Sequence, residues 1–182
     1  MVKIVADTST LFSSEEGNKH GIAITPLSVN IAKDSYRELD EITSAQFLGR
    51  LQEGALPTSS QPSIDEKMEQ YELLAKADEV LDITMADGLS GTYESACNAK
   101  ADCVYGDRIT VLNSETLCGP HRYLVLKAVR LAEQGNSVSM IVDALRSSMM
   151  QERSFLIPRD FSFLKRGGRL TPLAATIGGM LK

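Results

Sequence analysis

A chain of 182 residues with 43% hydrophobic content is long enough for one ordinary domain with its own core and some length beyond it, but short for two. Its 24 acidic against 19 basic residues (net charge −5), 5% aromatic content and lack of Trp leave neither a basic cluster nor a stacking platform, which argues against nucleic acid as a partner. The opening Met1–Asp7 run is too short for a signal peptide and there is no membrane span, so a cytoplasmic location is expected; Cys97, Cys103 and Cys118 lack the number and spacing of disulfide or zinc ligands.

Val2–Ala6 reads as a buried first strand followed by the polar run Asp7-Thr8-Ser9-Thr10. Ser13 with Glu16 forms a capping box for a short helix limited by Gly17 and Gly21. Ile22–Ile31 alternates well enough for a strand, and Lys33-Asp34-Ser35 reads as the turn to a partner around Tyr36–Leu39, a hairpin-like insertion. Thr43 caps a helix to about Glu53, with Phe47, Leu48 and Leu51 on one face and Gly54 as its stop. The stretch 55–62, with two prolines and three hydroxyl residues, reads as a loop. A second capping box, Ser63 with Glu66, opens a helix to about Lys76, and a strand follows at Glu79–Thr84.

That strand runs into Asp87-Gly88-Leu89-Ser90-Gly91-Thr92 and a helix reaching Lys100. Unpaired N–H groups at a helix start, together with the Ser90 and Thr92 hydroxyls, suit a small anion such as a carboxylate or phosphate; the plainer alternative is that one hydroxyl only caps its helix. A strand at Ile109–Leu112, the run Asn113–Thr116, a helix from about Leu117 to Gln134, and a Ser137-capped helix to about Arg153 complete the regular pattern. Beyond it, 155–158 is a strand candidate, 160–165 a short helix and 172–182 helical.

The alternation predicts an α/β fold, a mostly parallel sheet flanked by helices on both faces, and the change of texture after Arg153 reads as the start of something unfinished. The loops Asp7–Thr10, Asp87–Thr92 and Asn113–Thr116 each follow a strand and gather at the carboxyl edge, where such sheets bind ligands; Thr58–Ser60 can join them. Several chemistries compete for this edge. Gly88-x-Ser90-x-Thr92 is one residue from the hydrolase elbow, and His121 can approach it as a base for Ser90. Asp7, Asp87 and Glu115 are candidate Mg²⁺ ligands, although no metal cluster is spaced in the sequence. No phosphate-loop or dinucleotide fingerprint is present and no cofactor is expected. Arg166-Gly167-Gly168-Arg169 reads as a helix stop between cations or as part of a site.

Four segments, Asp7-Thr8-Ser9, Ser59-Ser60-Gln61-Pro62-Ser63, Gly88 to Ala96 and Leu164 to Leu170, resemble the DegV family in order and spacing, over the whole chain. The resemblance implies a two-domain α/β protein that binds a long-chain fatty acid, here a Rossmann-like first domain over 1–153 with 154–182 the beginning of an incomplete second α/β domain. It further implies a non-catalytic carrier, presenting lipid to a separate fatty acid kinase. Carried over residue by residue, the carboxylate would meet Ser59, Ser90, the backbone of Gly91 and Thr92, with Arg169 near the head group. Ser59 stands where the family usually has Thr, Ala86-Asp87 where it commonly has Ser-Ser, and Cys118-Gly119-Pro120-His121 replaces its glycine pattern. A carboxylate at Asp87 is expected to repel a bound carboxylate or to be protonated. The alternative to the carrier is a small α/β hydrolase or phosphate-handling enzyme using Ser90.

Overall fold

The computed structural model describes residues 1–155, 157, 164–165 and 167–169, which divide into two units, Met1–Glu152 and Arg153–Lys182. In the first unit β1 (Val2–Asp7) lies between β2 (Ile22–Thr25) and β6 (Glu79–Thr84), and β7 (Ile109–Asn113) follows β6; every pairing is parallel. A second, antiparallel sheet is built from β3 (Ser28–Ile31), with β4 (Asp34–Arg37) and β5 (Thr58–Ser60) on either side. The helices are α1 (Ser14–Lys19), α2 (Ser44–Gln52), α3 (Ile64–Ala75), α4 (Thr92–Asp102), α5 (Cys118–Glu133) and α6 (Val138–Gln151).

Strand alternation sorts the core into two layers. Ile4, Ala6, Leu81 and Ile83 point to one face, where they pack with Phe12, with Leu124 and Val125 of α5 and with Ile141 and Leu145 of α6. Val5 and Val80 point to the other, against Tyr71 and Ala75 of α3 and Ala99 of α4. Each such aliphatic side chain contributes about 1.5–3 kcal/mol on burial, which fixes the sheet between its helices and with it the positions of the strand ends. The expected mostly parallel, helix-flanked sheet is therefore the one observed.

Five local readings are corrected. The single strand expected over 22–31 is split at Pro26-Leu27: proline has no N–H to donate, β2 stays in the main sheet, and β3 leaves for the small one. The hairpin turn is Ala32-Lys33 rather than 33–35, since Ile31 pairs with Asp34, and Ala32 takes a left-handed φ of 56°. The stretch 58–60, expected as loop, is a short strand because the edge of β3 is open to it. Gly17 does not limit α1 but sits inside it, where a Cβ would strike the Ile24 side chain. On α2, Leu48 faces outward and is 56% exposed, while Phe47 and Leu51 are half-buried.

Both expected capping boxes form, Ser13 with Glu16 and Ser63 with Glu66, and Thr43 makes a third with Gln46. In the second unit, Leu164-Lys165 ends in a Schellman turn: Gly168, at φ 75°, donates its N–H to the Lys165 carbonyl at 3.2 Å and Arg169 donates to that of Leu164 at 2.9 Å. Gly167-Gly168 is thus a helix stop. Of the strand expected at 155–158 only Phe155 and Ile157 are described, both exposed and outside any strand; most of the short helix at 160–165 and the helical segment at 172–182 lie outside the described residues. Among the described residues no helix is long and apolar enough to cross a membrane.

Candidate functional site

In the main sheet the chain steps from β1 to β2 on one side, while β6 and β7 extend the other side. The loops leaving β1 and β6 therefore diverge, and the crevice they open at the carboxyl edge is where doubly wound sheets bind ligands. Asp7, fully buried, ties the two strand ends together: one carboxylate oxygen accepts the Ser9 N–H at 2.9 Å and the other the Met85 N–H at 2.9 Å. Two charge-assisted bonds offset the cost of burying that carboxylate. The loop after β7 is fastened to the same edge, with Ala86 donating to the Thr116 carbonyl at 2.9 Å and Ser114 to the Thr84 carbonyl at 3.0 Å. Leu11, Glu115 and Cys118 on these loops all hold left-handed φ values, of 64°, 56° and 54°. Non-glycine residues in that region are uncommon and concentrate at functional loops.

The Ser90-Gly91-Thr92 turn is buried at its two hydroxyls, whose oxygens lie 2.8 Å apart. The Thr92 N–H reaches the Ser90 hydroxyl only at 3.4 Å, and Gly91 is the N-cap of α4, so the helix start carries no strong side-chain cap. A Cβ at Gly91 would lie 2.8 Å from the Gln61 amide nitrogen, so any larger residue there has to displace that side chain. Gln61 thereby lays the loop that follows β5 over the turn. Ser59, two residues earlier, is exposed on β5 and pairs with Val29. Arg169 belongs to the second unit, where its guanidinium donates to the Gly167 carbonyl. Ser90, Gly91 and Thr92 thus form one turn with the Gln61 loop against it, while Ser59 and Arg169 are set on neighbouring strand and second unit respectively.

Asp87 is exposed, and its side chain accepts the N–H of Gly88 at 2.7 Å. The three acidic residues considered for Mg²⁺ do not form a cluster, because Asp7 is consumed by backbone donors and Asp87 and Glu115 are exposed. Among the described residues no group of three or more His, Cys, Asp or Glu side chains could hold a metal. Cys97, Cys103 and Cys118 are free; burial, helped by the charge of Glu38, pushes the Cys118 thiol up.

His121, fully buried near the start of α5, does reach the edge, but its partner is Ser9, not Ser90. Its Nδ1 lies 2.7 Å from the Ser9 hydroxyl, its Nε2 2.9 Å from the Ile83 carbonyl oxygen, and Asp7 sits 4.0 Å from Nδ1. Sequence reading singled out this histidine and this hydroxyl-rich loop separately; a pairing across 112 residues has no local signal. Nearby, the Thr8 hydroxyl donates to Glu38 and accepts the Leu27 N–H at 3.1 Å, a contact likewise invisible in the sequence.

Fold and edge define a doubly wound α/β domain whose strand order switches between β1 and β6. A family model described as "Uncharacterised protein, DegV family" matches residues 1–182, and the chain belongs to that family. It is similar to Protein DegV of Bacillus subtilis, with 34% identity over 186 residues, covering 100% of this chain and 65% of the relative. A DegV domain-containing protein of Caldanaerobacter subterraneus is 35% identical over 181 residues, covering 99% of this chain and 64% of the relative. Among solved structures, DegV from Bacillus subtilis, described as a fatty acid binding protein, matches with a TM-score of 0.88 at 33% identity. A DegV family protein from Thermus thermophilus, described by its fatty acid binding, matches at 0.84 and 31%. Each of these two comparisons covers 100% of this chain and 65% of the other, so the chain spans somewhat less than two thirds of such relatives.

Proposed function

We propose that this chain binds a long-chain fatty acid and serves in the cytoplasm as a carrier for a separate fatty acid kinase. The observation that supports the reading most directly is the buried hydroxyl pair of Ser90 and Thr92 at the uncapped, glycine-initiated start of α4, set at the switch point of the sheet. Hydroxyl donors and first-turn N–H groups with the positive end of a helix dipole suit a carboxylate. On this reading Ser90, the Gly91 backbone and Thr92 hold one face of the head group and Ser59 approaches from β5. Family membership and two relatives above 30% identity described as fatty acid binding add weight. The acyl chain supplies most of the affinity, about 0.8 kcal/mol for each CH₂ buried, and the head group sets its direction. The carrier needs no phosphoryl-transfer residue of its own, since the kinase supplies that chemistry.

Mass spectrometry of organic extracts from purified protein should find a stoichiometric fatty acid. Ser90→Ala should then weaken binding by ~1.5–3 kcal/mol, the worth of a hydrogen bond to a charged group, measured by displacement of a fluorescent fatty acid. Protein that carries no lipid and takes none up, or a Ser90→Ala variant of undiminished affinity, would defeat the reading.

A further inference from the structure

We infer that Ser9 and His121 form a nucleophile–base pair that cleaves activated acyl compounds at the carboxyl edge, an activity distinct from carrying a free acid. The protonation pattern follows from the partners. The Ile83 carbonyl oxygen, 2.9 Å from Nε2, can only accept, so Nε2 carries the ring proton. In the neutral imidazole Nδ1 is then the bare nitrogen, and the Ser9 hydroxyl, 2.7 Å away, donates to it. That is the arrangement by which a histidine activates a serine: base and nucleophile in hydrogen-bond contact, with the far side of the ring held in one tautomer by a third group.

Asp7 completes the electrostatics. Its carboxylate lies 4.0 Å from Nδ1, both side chains are fully buried, and its oxygens are fixed by the Ser9 and Met85 N–H groups. A negative charge held there stabilises the imidazolium that forms when His121 takes a proton, more strongly than it could in water. Unlike its two neighbours, Ser9 is only half-buried, so the hydroxyl is the member of the set that a substrate can reach. Ser90, the serine singled out by the elbow-like motif, has a threonine hydroxyl for a neighbour and no such base.

The substrate class is an acyl group on a good leaving group, an acyl phosphate or thioester. Ser9 Oγ bonds to the acyl carbonyl carbon and the bond to the leaving oxygen or sulfur breaks. The hydroxyl proton passes to His121 Nδ1 and from there to the leaving group. Water then attacks the acyl-serine ester, giving its proton to His121, which returns one to Ser9 Oγ as the free acid departs. The net reaction consumes one water and releases one acid and one protonated leaving group. That the acyl group is a fatty one rests on the proposed function; the nucleophile rests on geometry alone.

The test is active-site labelling of the purified full chain with two alkyl fluorophosphonates, one long-chain and one short-chain, with the modified peptide located by mass spectrometry. Both probes should label Ser9, and Ser9→Ala should abolish that label. His121→Gln, which can still hydrogen-bond but cannot serve as the base, should slow it by about 100-fold or more, the usual worth of general-base assistance. If the glutamine variant does not fold, Ser9→Cys replaces it: iodoacetamide should alkylate that thiol faster than Cys97 or Cys118 in the same molecule. Absence of label at Ser9, a rate unchanged by His121→Gln, or a Ser9→Cys thiol no faster than the native ones would overturn the inference. Equal rates with both probes uphold the nucleophile while counting against a fatty acyl group; a faster long-chain probe supports both readings.

Discussion

Two buried polar clusters hang on the same parallel sheet, and they differ in where along the strands they sit. Halfway along β6, Asp82 accepts hydrogen bonds from Lys67 Nζ at 2.6 Å and Tyr71 Oη at 2.5 Å, both carried by α3, and all three side chains are fully buried. At the ends of β1 and β6, Asp7, Ser9 and His121 form the second cluster, closed below by the core and opening upward through a half-buried serine. The first has no route for a ligand. It links a helix to the sheet face and one of its carboxylate oxygens, Asp82 Oδ1, is left without a partner. The second stands at the switch point, on loops with left-handed residues, next to a helix start without a strong cap. A buried ionisable group is thus read by its height on the strand: in mid-strand it builds the fold, and at the carboxyl end it faces whatever the crevice holds.

The comparison breaks if the mid-strand cluster proves dispensable for stability. Asp82→Ala leaves the Lys67 ammonium in an apolar layer without its counterion, and should cost ~3–5 kcal/mol in urea unfolding. A loss below about 1 kcal/mol would mean that water or relaxation already solvates the pair. The phenol of Tyr71 is pushed up by burial and by the charge of Asp82, so it stays protonated and its hydrogen bond persists through alkaline pH; the fluorescence or absorbance signature of its ionisation should be absent until the chain unfolds.

A smaller effect sharpens the edge side of the comparison. Gly91→Ala places a methyl group where the Gln61 amide now lies, and the side chain has to move. If that contact helps to form the head-group site, the single substitution should weaken fatty acid binding. Adding Gln61→Ala should restore part of the loss, with a coupling of about 0.5–3 kcal/mol in a double-mutant cycle. Strict additivity of the two substitutions would show that Gln61 only covers the turn.

What could be read from the sequence follows the range of the interaction. Capping boxes such as Ser13 with Glu16 act over three residues and carry their own signature, and the hydrophobic runs of β1 and β6 announce a sheet buried on both faces. Pro26 was a readable break inside the alternation at 22–31, because a strand interior cannot spare the N–H. Thr58–Ser60 was not readable: nothing local distinguishes three hydroxyl residues in a loop from three paired with β3, and the partner lies elsewhere in the chain. At the site, the Ser90-Gly91-Thr92 turn was legible from its glycine and hydroxyl pattern. His121 was legible as a candidate and its partner was not, since the sheet order decides which serine it meets.

The smallest effect compares buried with exposed polar groups on one helix. Glu66 precedes Lys67 on α3, yet belongs to the surface capping box. Burial pushes its carboxyl up, but hydrogen bonds from the Ser63 backbone and hydroxyl, with Arg37 at 3.3 Å, outweigh it and the net direction is down. A carboxyl lowered in the folded state stabilises fully above its unfolded value and loses that contribution as pH falls through the folded one. Ser63→Ala removes the hydroxyl partner and should cost about 1 kcal/mol at neutral pH. Because the variant's Glu66 is lowered less, its deficit relative to the parent should shrink as both are titrated below the glutamate range, followed by thermal unfolding. A deficit that stayed constant would assign the whole loss to the missing bond at the Glu66 N–H, with the carboxylate uninvolved.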